Sequence, residues 1–282
     1  MKISIPNRTE YLNKQYQDGQ QIMGVLPAQY PRELLWAFDI LPAEIWDPPG
    51  QVLHSNAHLQ TTICPVVKRS LEFLLKDSEV INAGYLFPHT CDSLQNLGTQ
   101  VRDLIGIQQK IYTFYNPKGA FSPASKTYYN NLLQQLKAEL ESSHGDLNPN
   151  KLKQACVLGH TIDSRRSELQ TARMNGTLSL SNVDYFALIR ADEFMQAKDY
   201  LNLLGSINIL DNIDTKPQTR LLISGILPPS TDILTALDNL SVSLVAEDLL
   251  SGSRRIPRII MDPPAEPFDY LIDRYFLLPP CS

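Results

Sequence analysis

Long apolar runs are missing from this chain: none of its 282 residues falls in a stretch approaching the roughly 18 needed to cross a bilayer. The opening segment, Met1 to Gln20, is polar with scattered charges and has no apolar core of the kind a secretory signal requires. An excess of positive charge is missing as well. Lys and Arg number 25 against 30 Asp and Glu, a formal charge of −5, which leaves no basic footprint for nucleic acid. Cysteine is scarce: four residues, with no Cys-x-x-Cys pair, so neither a disulfide scaffold, a zinc ribbon nor a ferredoxin-type run is written here. No Gly-x-Gly-x-x-Gly and no P-loop appears, which argues against a plain nucleotide-binding protein. The expectation is a soluble, cytoplasmic protein without a nucleic-acid or membrane partner.

What is present is enough apolar residue, 43%, to bury a core. Residues 22–46 read as a strand (Ile22 to Leu26), a loop and a helix that Pro31 can open, closed by Pro42, Pro48 and Pro49. A helix is expected over Ser55 to Lys76, and Pro65 either kinks it or marks its true start, which leaves Cys64 at a helix N-terminus. Val80 to Phe87 reads as a buried strand, Ser93 to Ile107 as a helix and Gln109 to Tyr115 as the next strand. That order is a βαβ unit and predicts a parallel sheet. From Ser122 to Leu204 the spacing is helical, with breaks at Gly145–Pro149 and near Gly176. After a polar linker over Asn208 to Gln218 come a strand (Arg220 to Ile226), a helix (Thr231 to Leu240), a strand (Val242 to Ala246) and a last helix (Asp269 to Leu277). The predicted architecture is α/β: a Rossmann-like parallel-sheet domain over 1–120, a helical layer over 121–214, and an incomplete second Rossmann-like domain over 215–282. Only two strands of that second sheet are written, fewer than the roughly four to six of a usual sheet.

Cys91 is the strongest single position. It follows a strand on a loop that opens a helix, in the crevice where open α/β sheets bind ligands, and a helix N-terminus favours thiolate. His89 either orients a ligand or faces water, and Asp92 suits a helix cap. A Cys–His hydrolase finds no third orienting group. Cys156 lies on an apolar helical face and reads as core. Gly252-Ser253-Arg254-Arg255 joins a glycine turn to a hydroxyl and two guanidinium groups, a set that suits phosphate or carboxylate; loop arginines facing solvent are the plain alternative. Asp262 to Pro267 is a stiff linker.

Several segments, taken in order, carry a resemblance. Gly24-Val25-Leu26-Pro27, Tyr30-Pro31-Arg32-Glu33-Leu34 and Leu41-Pro42-Ala43-Glu44-Ile45-Trp46 come first. His58-Leu59-Gln60, Cys64, Arg69-Ser70 and Phe87-Pro88-His89-Thr90-Cys91-Asp92 follow. Ile223-Ser224-Gly225, Glu247-Asp248-Leu249, Gly252-Ser253-Arg254, Asp273-Arg274-Tyr275 and Pro280-Cys281 complete the series. The chain resembles the 2-hydroxyacyl-CoA dehydratase and benzoyl-CoA reductase family over residues 24–282.

That resemblance implies a [4Fe-4S] cluster held on cysteines, two of them matching Cys64 and Cys91. It implies an acyl-CoA substrate, an ATP-dependent activator protein that delivers one electron, a ketyl radical on the thioester, and a second homologous subunit or complementing chain. Thiolate softness suits such a cluster. Cys281 is the candidate third ligand, although it matches a Tyr-x-x-x-x-Pro-Cys segment upstream of the family's third cysteine. Ser253 and Arg254 match residues near the family's inter-domain cleft and are candidates for substrate binding. The residues after Asp92, Ser93 to Gly98, depart from the Gly and Lys-rich run of the dehydratases and move the resemblance toward the reductase-like or uncharacterised branches. The implied role is an iron–sulfur subunit doing one-electron chemistry on an acyl-CoA; the other reading is a shortened, non-catalytic relative that serves as a structural or interaction subunit.

Overall fold

A computed structural model describes residues 3–76, 80–116, 119, 121–210, 219–257, 266–276 and 278–279. Helix α1 (Arg8–Gln17) is started by Asn7, whose side chain accepts from the amides of Thr9 and Glu10. Then come β1 (Gln21–Val25), α2 (Arg32–Ala37), β2 (Ile40–Glu44), α3 (Pro65–Leu74), β3 (Tyr85–His89), α4 (Asp92–Gln100) and β4 (Ile111–Tyr115). The helical layer is α5 (Pro123–His144), α6 (Pro149–Asn175), α7 (Asn182–Ala191) and α8 (Ala197–Gly205). Last are β5 (Thr219–Gly225), α9 (Thr231–Asn239), β6 (Val242–Leu249) and α10 (Pro267–Phe276). The strands form a four-stranded parallel sheet in the order β2-β1-β3-β4 and a two-stranded parallel sheet of β5 and β6. The fold class is α/β, as the pattern of elements implied.

The prolines explain three differences from the sequence expectation. Pro42 does not close a unit; it lies within β2, opposite Met23 of β1. The amide of Glu44 points away from β1, to the Glu193 carbonyl at 2.8 Å, so the missing N–H of Pro42, two positions earlier, falls on the same outer side. Pro88 lies within β3, which runs over Tyr85–His89 rather than 80–87. Its missing N–H faces the β1 side, where pairing has already ended at Leu86. Pro65 is the true start of α3; Ser55–Ala57 forms only a short 3-10 turn.

The large sheet is covered on both faces, as parallel sheets require. Ile22, Leu41, Tyr85 and Phe87 pack on one face with Leu71 of α3, Leu94 and Leu97 of α4, and α6 to α8. Met23, Val25, Leu86, Tyr112 and Phe114 alternate onto the other, under α2, α5 and α10. The last helix therefore returns to the first sheet: Phe276 meets Tyr129 of α5 edge-on at 6.0 Å. Gly24 is required where it stands, because a Cβ there would lie 2.5 Å from the Tyr85 ring. Among the described residues, no helix is long and apolar enough to cross a membrane. Residues 211–218 of the expected linker, Asp262 to Ala265, and Cys281 lie outside the described residues.

Candidate functional site

Topology fixes where two cysteines sit. Helix α3 crosses from β2 to β3 and α4 from β3 to β4, all parallel strands. Each crossover helix must run back along the sheet, so each begins at the strands' carboxyl ends, the ligand side of open α/β sheets. Cys64 is the N-cap of α3 with Pro65 next to it, and Cys91 is the N-cap of α4. Both thiols are half-buried against the same hydrophobic cluster, and the two helices touch. The cap carbonyls accept from the amides of Lys68 in α3 and of Leu94 and Gln95 in α4, but neither cysteine side chain caps its helix. The first-turn N–H groups thus give the cysteine end of each helix the positive field that favours an anionic ligand.

The segment before Cys64 is anchored by α3 itself. One oxygen of Glu72, Oε2, accepts from the amides of Leu53, His54 and Ser55 at 3.1, 2.8 and 3.0 Å, while Oε1 lies 3.0 Å from His54 Nδ1. The Ser55 amide, the His54 ring and the other N–H donors hold the Glu72 carboxyl down at about 2. His89 is turned against Tyr115, edge-on at 5.2 Å, with Nε2 3.7 Å from Asp92 Oδ1. Asp92 is the first residue of α4 rather than its cap, a place Cys91 takes. Cys156 is buried on the opposite face of the sheet, where burial pushes its thiol up.

Across from this end lies the turn after β6. Ser253 donates to the Glu247 carbonyl at 2.7 Å and to Glu247 Oε2 at 3.1 Å. Arg254 grips Asp248 through Nε and Nη2, each at 2.7 Å. Gly252 has no room for a side chain, since a Cβ would meet the Glu247 carboxylate at 2.5 Å. Both residues expected to meet substrate therefore hold the turn's own carboxylates in this structure. Burial pushes the Glu247 carboxyl up, against the Leu249 amide and Arg166, which favour its charge.

Behind the turn is a buried cluster of four guanidinium groups (Arg32, Arg166, Arg255, Arg274) and four carboxylates (Glu33, Glu44, Asp163, Asp192). Arg32 reaches Asp192 at 2.7 Å and Asp163 at 2.9 Å; Arg274 reaches Asp163 at 2.7 Å; Arg255 pairs with Glu44. Tyr30 and Trp46 also donate to Glu44, both at 2.7 Å, and Tyr275 donates to Glu33 at 2.6 Å. The Arg32, Arg166 and Arg255 charges hold the Asp192 carboxyl below the ordinary range despite its burial. Sequence reading did not single out these residues as a unit. A signal was available: Glu44 is an acid set inside the apolar stretch Ile40 to Trp46, and buried charges require partners.

The two sheets meet at their carboxyl ends. Ala28 beyond β1, Trp46 beyond β2 and Leu250 beyond β6 form one buried cluster, with Ile226 and Leu227 beyond β5 packed on it. Thr90, next to Cys91, donates to the Pro27 carbonyl at 3.1 Å and so ties the cysteine loop to this junction. Among the described residues, no group of three or more His, Cys, Asp and Glu is arranged to hold a metal ion. Cys64 and Cys91 are thiols of the type that can ligate iron, each at the start of one of two touching helices, and Cys281 lies outside the described residues.

Residues 27–282 match the family model described as 2-hydroxyglutaryl-CoA dehydratase, D-component. The chain is 24% identical over 261 residues to the (R)-2-hydroxyglutaryl-CoA dehydratase subunit beta of Acidaminococcus fermentans, covering 90% of this chain and 68% of that one. It is 20% identical over 278 residues to the (R)-phenyllactyl-CoA dehydratase beta subunit of Clostridium sporogenes, covering 96% and 73%. With a benzoyl-CoA reductase polypeptide of Thauera aromatica it shares 22% over 194 residues, 68% of this chain and 50% of that one.

Proposed function

Because the chain belongs to the 2-hydroxyglutaryl-CoA dehydratase D-component family, we propose that it is an iron–sulfur subunit acting in one-electron chemistry on an acyl-CoA. The observation that carries this reading is the placement of Cys64 and Cys91. Two half-buried thiols cap two neighbouring helices at the carboxyl end of the sheet. A [4Fe-4S] cluster bound there would supply low-potential electron transfer. The chain's own part is to present sulfur from two directions against an apolar wall, with helix N-termini stabilising the negative charge that a cluster and its thiolates bring. Glu72 holds the loop ahead of Cys64, and Thr90 holds the loop carrying Cys91. In this reading the acyl group would lie at the carboxyl ends of the strands near Cys64 and Cys91, and a homologous subunit or complementing chain would supply the remaining cluster ligands. An ATP-dependent activator would deliver the electron.

Anaerobic reconstitution followed by iron and sulfide analysis tests the reading. Wild type should retain both, with the visible absorbance of a cluster. Cys64→Ala and Cys91→Ala should each lose them, while Cys156→Ala, on the far face of the sheet, should keep them. Wild type that retains neither iron nor sulfide would point to a non-catalytic relative instead.

A further inference from the structure

A groove of about 1050 Å³ opens beside the starts of β1 and β2, walled by the first half of α6 and the first turn of α8. Its volume matches the upper end of small-molecule sites, roughly 300–1,000 Å³. Gln20, Asp39 and Ile40 place it at the amino ends of the strands, whereas Cys64 and Cys91 stand at the carboxyl ends. Part of the lining is apolar: Trp36, Ile40, Ala155, Leu158 and Ala197 contribute to it, and Ile40, Ala155 and Ala197 are buried. The charged part is unbalanced. Lys151, Lys153 and Lys198 line the groove with two carboxylates, Asp39 and Asp199. Both carboxylates are engaged, Asp39 by Lys151 and Asp199 by the Tyr11 hydroxyl at 2.6 Å. Lys153 and Lys198 have no carboxylate partner among the described residues. Gln196 gives α8 no side-chain cap, so the first-turn amides of that helix add donors to the same wall.

We propose that this groove binds an amphipathic organic anion, an apolar body carrying a carboxylate or phosphate head. The two parts of the lining select the two parts of the ligand. A bare inorganic anion would leave Trp36, Ile40 and Leu158 uncovered, and a neutral apolar molecule would leave Lys153 and Lys198 without a counter-charge. Ligands that satisfy both gain apolar burial and two charge contacts at once. Because those lysines are exposed, the charge contribution is screened by salt and the apolar one is not. The groove shares no residue with the cysteine end of the sheet and requires no cluster there, so it stands or falls separately from the function proposed above.

Titration of the isotope-labelled full chain, followed by amide NMR shifts, tests the site. Decanoate and decyl phosphate are the probes, kept below micelle formation, with decanol as the neutral control and acetate as the control without an apolar body. Gln154 and Lys198 report on the groove, while Leu222, an exposed apolar residue of β5, reports on unspecific adsorption. At least one of the two anions should shift the groove amides and bind about tenfold more tightly than decanol or acetate; the tighter of the two identifies the head group. Lys153→Glu and Lys198→Glu, both at exposed positions, should each weaken that anion by about threefold or more, in the range of a surface charge contact, and leave decanol unchanged. The proposal is overturned if neither anion shifts the groove amides or if decanol binds as well as the anions. It is equally overturned if Leu222 responds at the same concentrations, or if the double charge reversal binds the anion undiminished. The wild-type titrations decide the matter even if a variant fails to fold.

Discussion

The two sheets of this molecule are built from the same parallel βα units and are protected very differently. In the large sheet all five residues of β2 are buried, as are four of the five in β1, and helices cover both faces. Its outer edge at β2 is closed by the Glu44 amide on the Glu193 carbonyl. In the small sheet, among the described residues, it is the β6 edge that side chains close. Asn182 accepts from the Leu244 amide at 2.8 Å and donates to the Val242 carbonyl at 2.8 Å, and Arg173 donates to the Leu244 carbonyl at 2.6 Å. Side chains of α6 and α7 thus stand in for a neighbouring strand along β6. On β5, Leu221 is 43% and Leu222 66% exposed, and consecutive strand residues point to opposite faces. The rigid, doubly covered sheet positions the cysteines; the thin one positions the turn that carries Ser253 and Arg254.

The largest test of this contrast is a matched pair of truncations. Leu86→Ala, at the centre of the large sheet, should cost about 2–5 kcal/mol in chemical denaturation, the range for a buried leucine. Leu222→Ala on β5 should stay within about 0.5 kcal/mol of wild type, as exposed substitutions do. Equal losses would break the comparison. A smaller effect probes the sealed edge. Asn182→Ala leaves the Leu244 amide and the Val242 carbonyl without their partner, and should cost about 1–3 kcal/mol. Amide exchange should quicken over Val242 to Leu244 and stay unchanged in β1; uniform quickening would mean that the two sheets unfold as one.

Much of this was legible in the sequence because helix starts and βαβ order are local signals. Pro65 marked the start of α3 and left Cys64 as its N-cap, and the breaks at Gly145–Pro149 and Gly176 fall where α5 and α6 end. The β2 strand was not legible, since Pro42 counts against a strand until one knows that its nitrogen faces an edge. The return of α10 to the large sheet was equally hidden: it depends on Tyr129, Phe276 and the Arg274–Asp163 pair, residues far apart in the chain. Charge clusters of this kind belong to tertiary structure. Their members, Tyr30, Arg32, Glu33, Glu44, Trp46, Arg274 and Tyr275, lie within the very segments that carry the family resemblance, yet no single segment reveals the pairing.

Acid sharpens the contrast further, through the loop ahead of Cys64. Glu72 titrates at about 2 against an ordinary 4.5, so its contribution is complete above 4.5 and is lost as pH falls toward 2. Wild type should therefore lose stability relative to Glu72→Gln across that window in acid denaturation. A flat difference would mean that the carboxylate does not hold the Leu53–Ser55 amides.

The smallest expected effect has the opposite sign and arises at the edge of β2. Glu193, whose carbonyl closes that edge, has its carboxyl pushed up to about 6 by burial, with Arg190 acting against the shift. A raised carboxyl pKa means that the folded chain holds the proton more tightly than the unfolded one. Stability should thus fall as pH rises from 4.5 to 6, and the cost should be complete above 6. Arg190 grips Glu193 at 2.9 Å and Asp47 at 2.5 Å, so Glu193→Gln loses an ion pair wherever that carboxyl is charged and a hydrogen-bond partner below that. The informative quantity is consequently the slope. The stability advantage of wild type over Glu193→Gln should shrink as pH climbs through the window, and an advantage that grows there would show that Arg190 outweighs burial and that the sheet edge is closed by a fully charged pair.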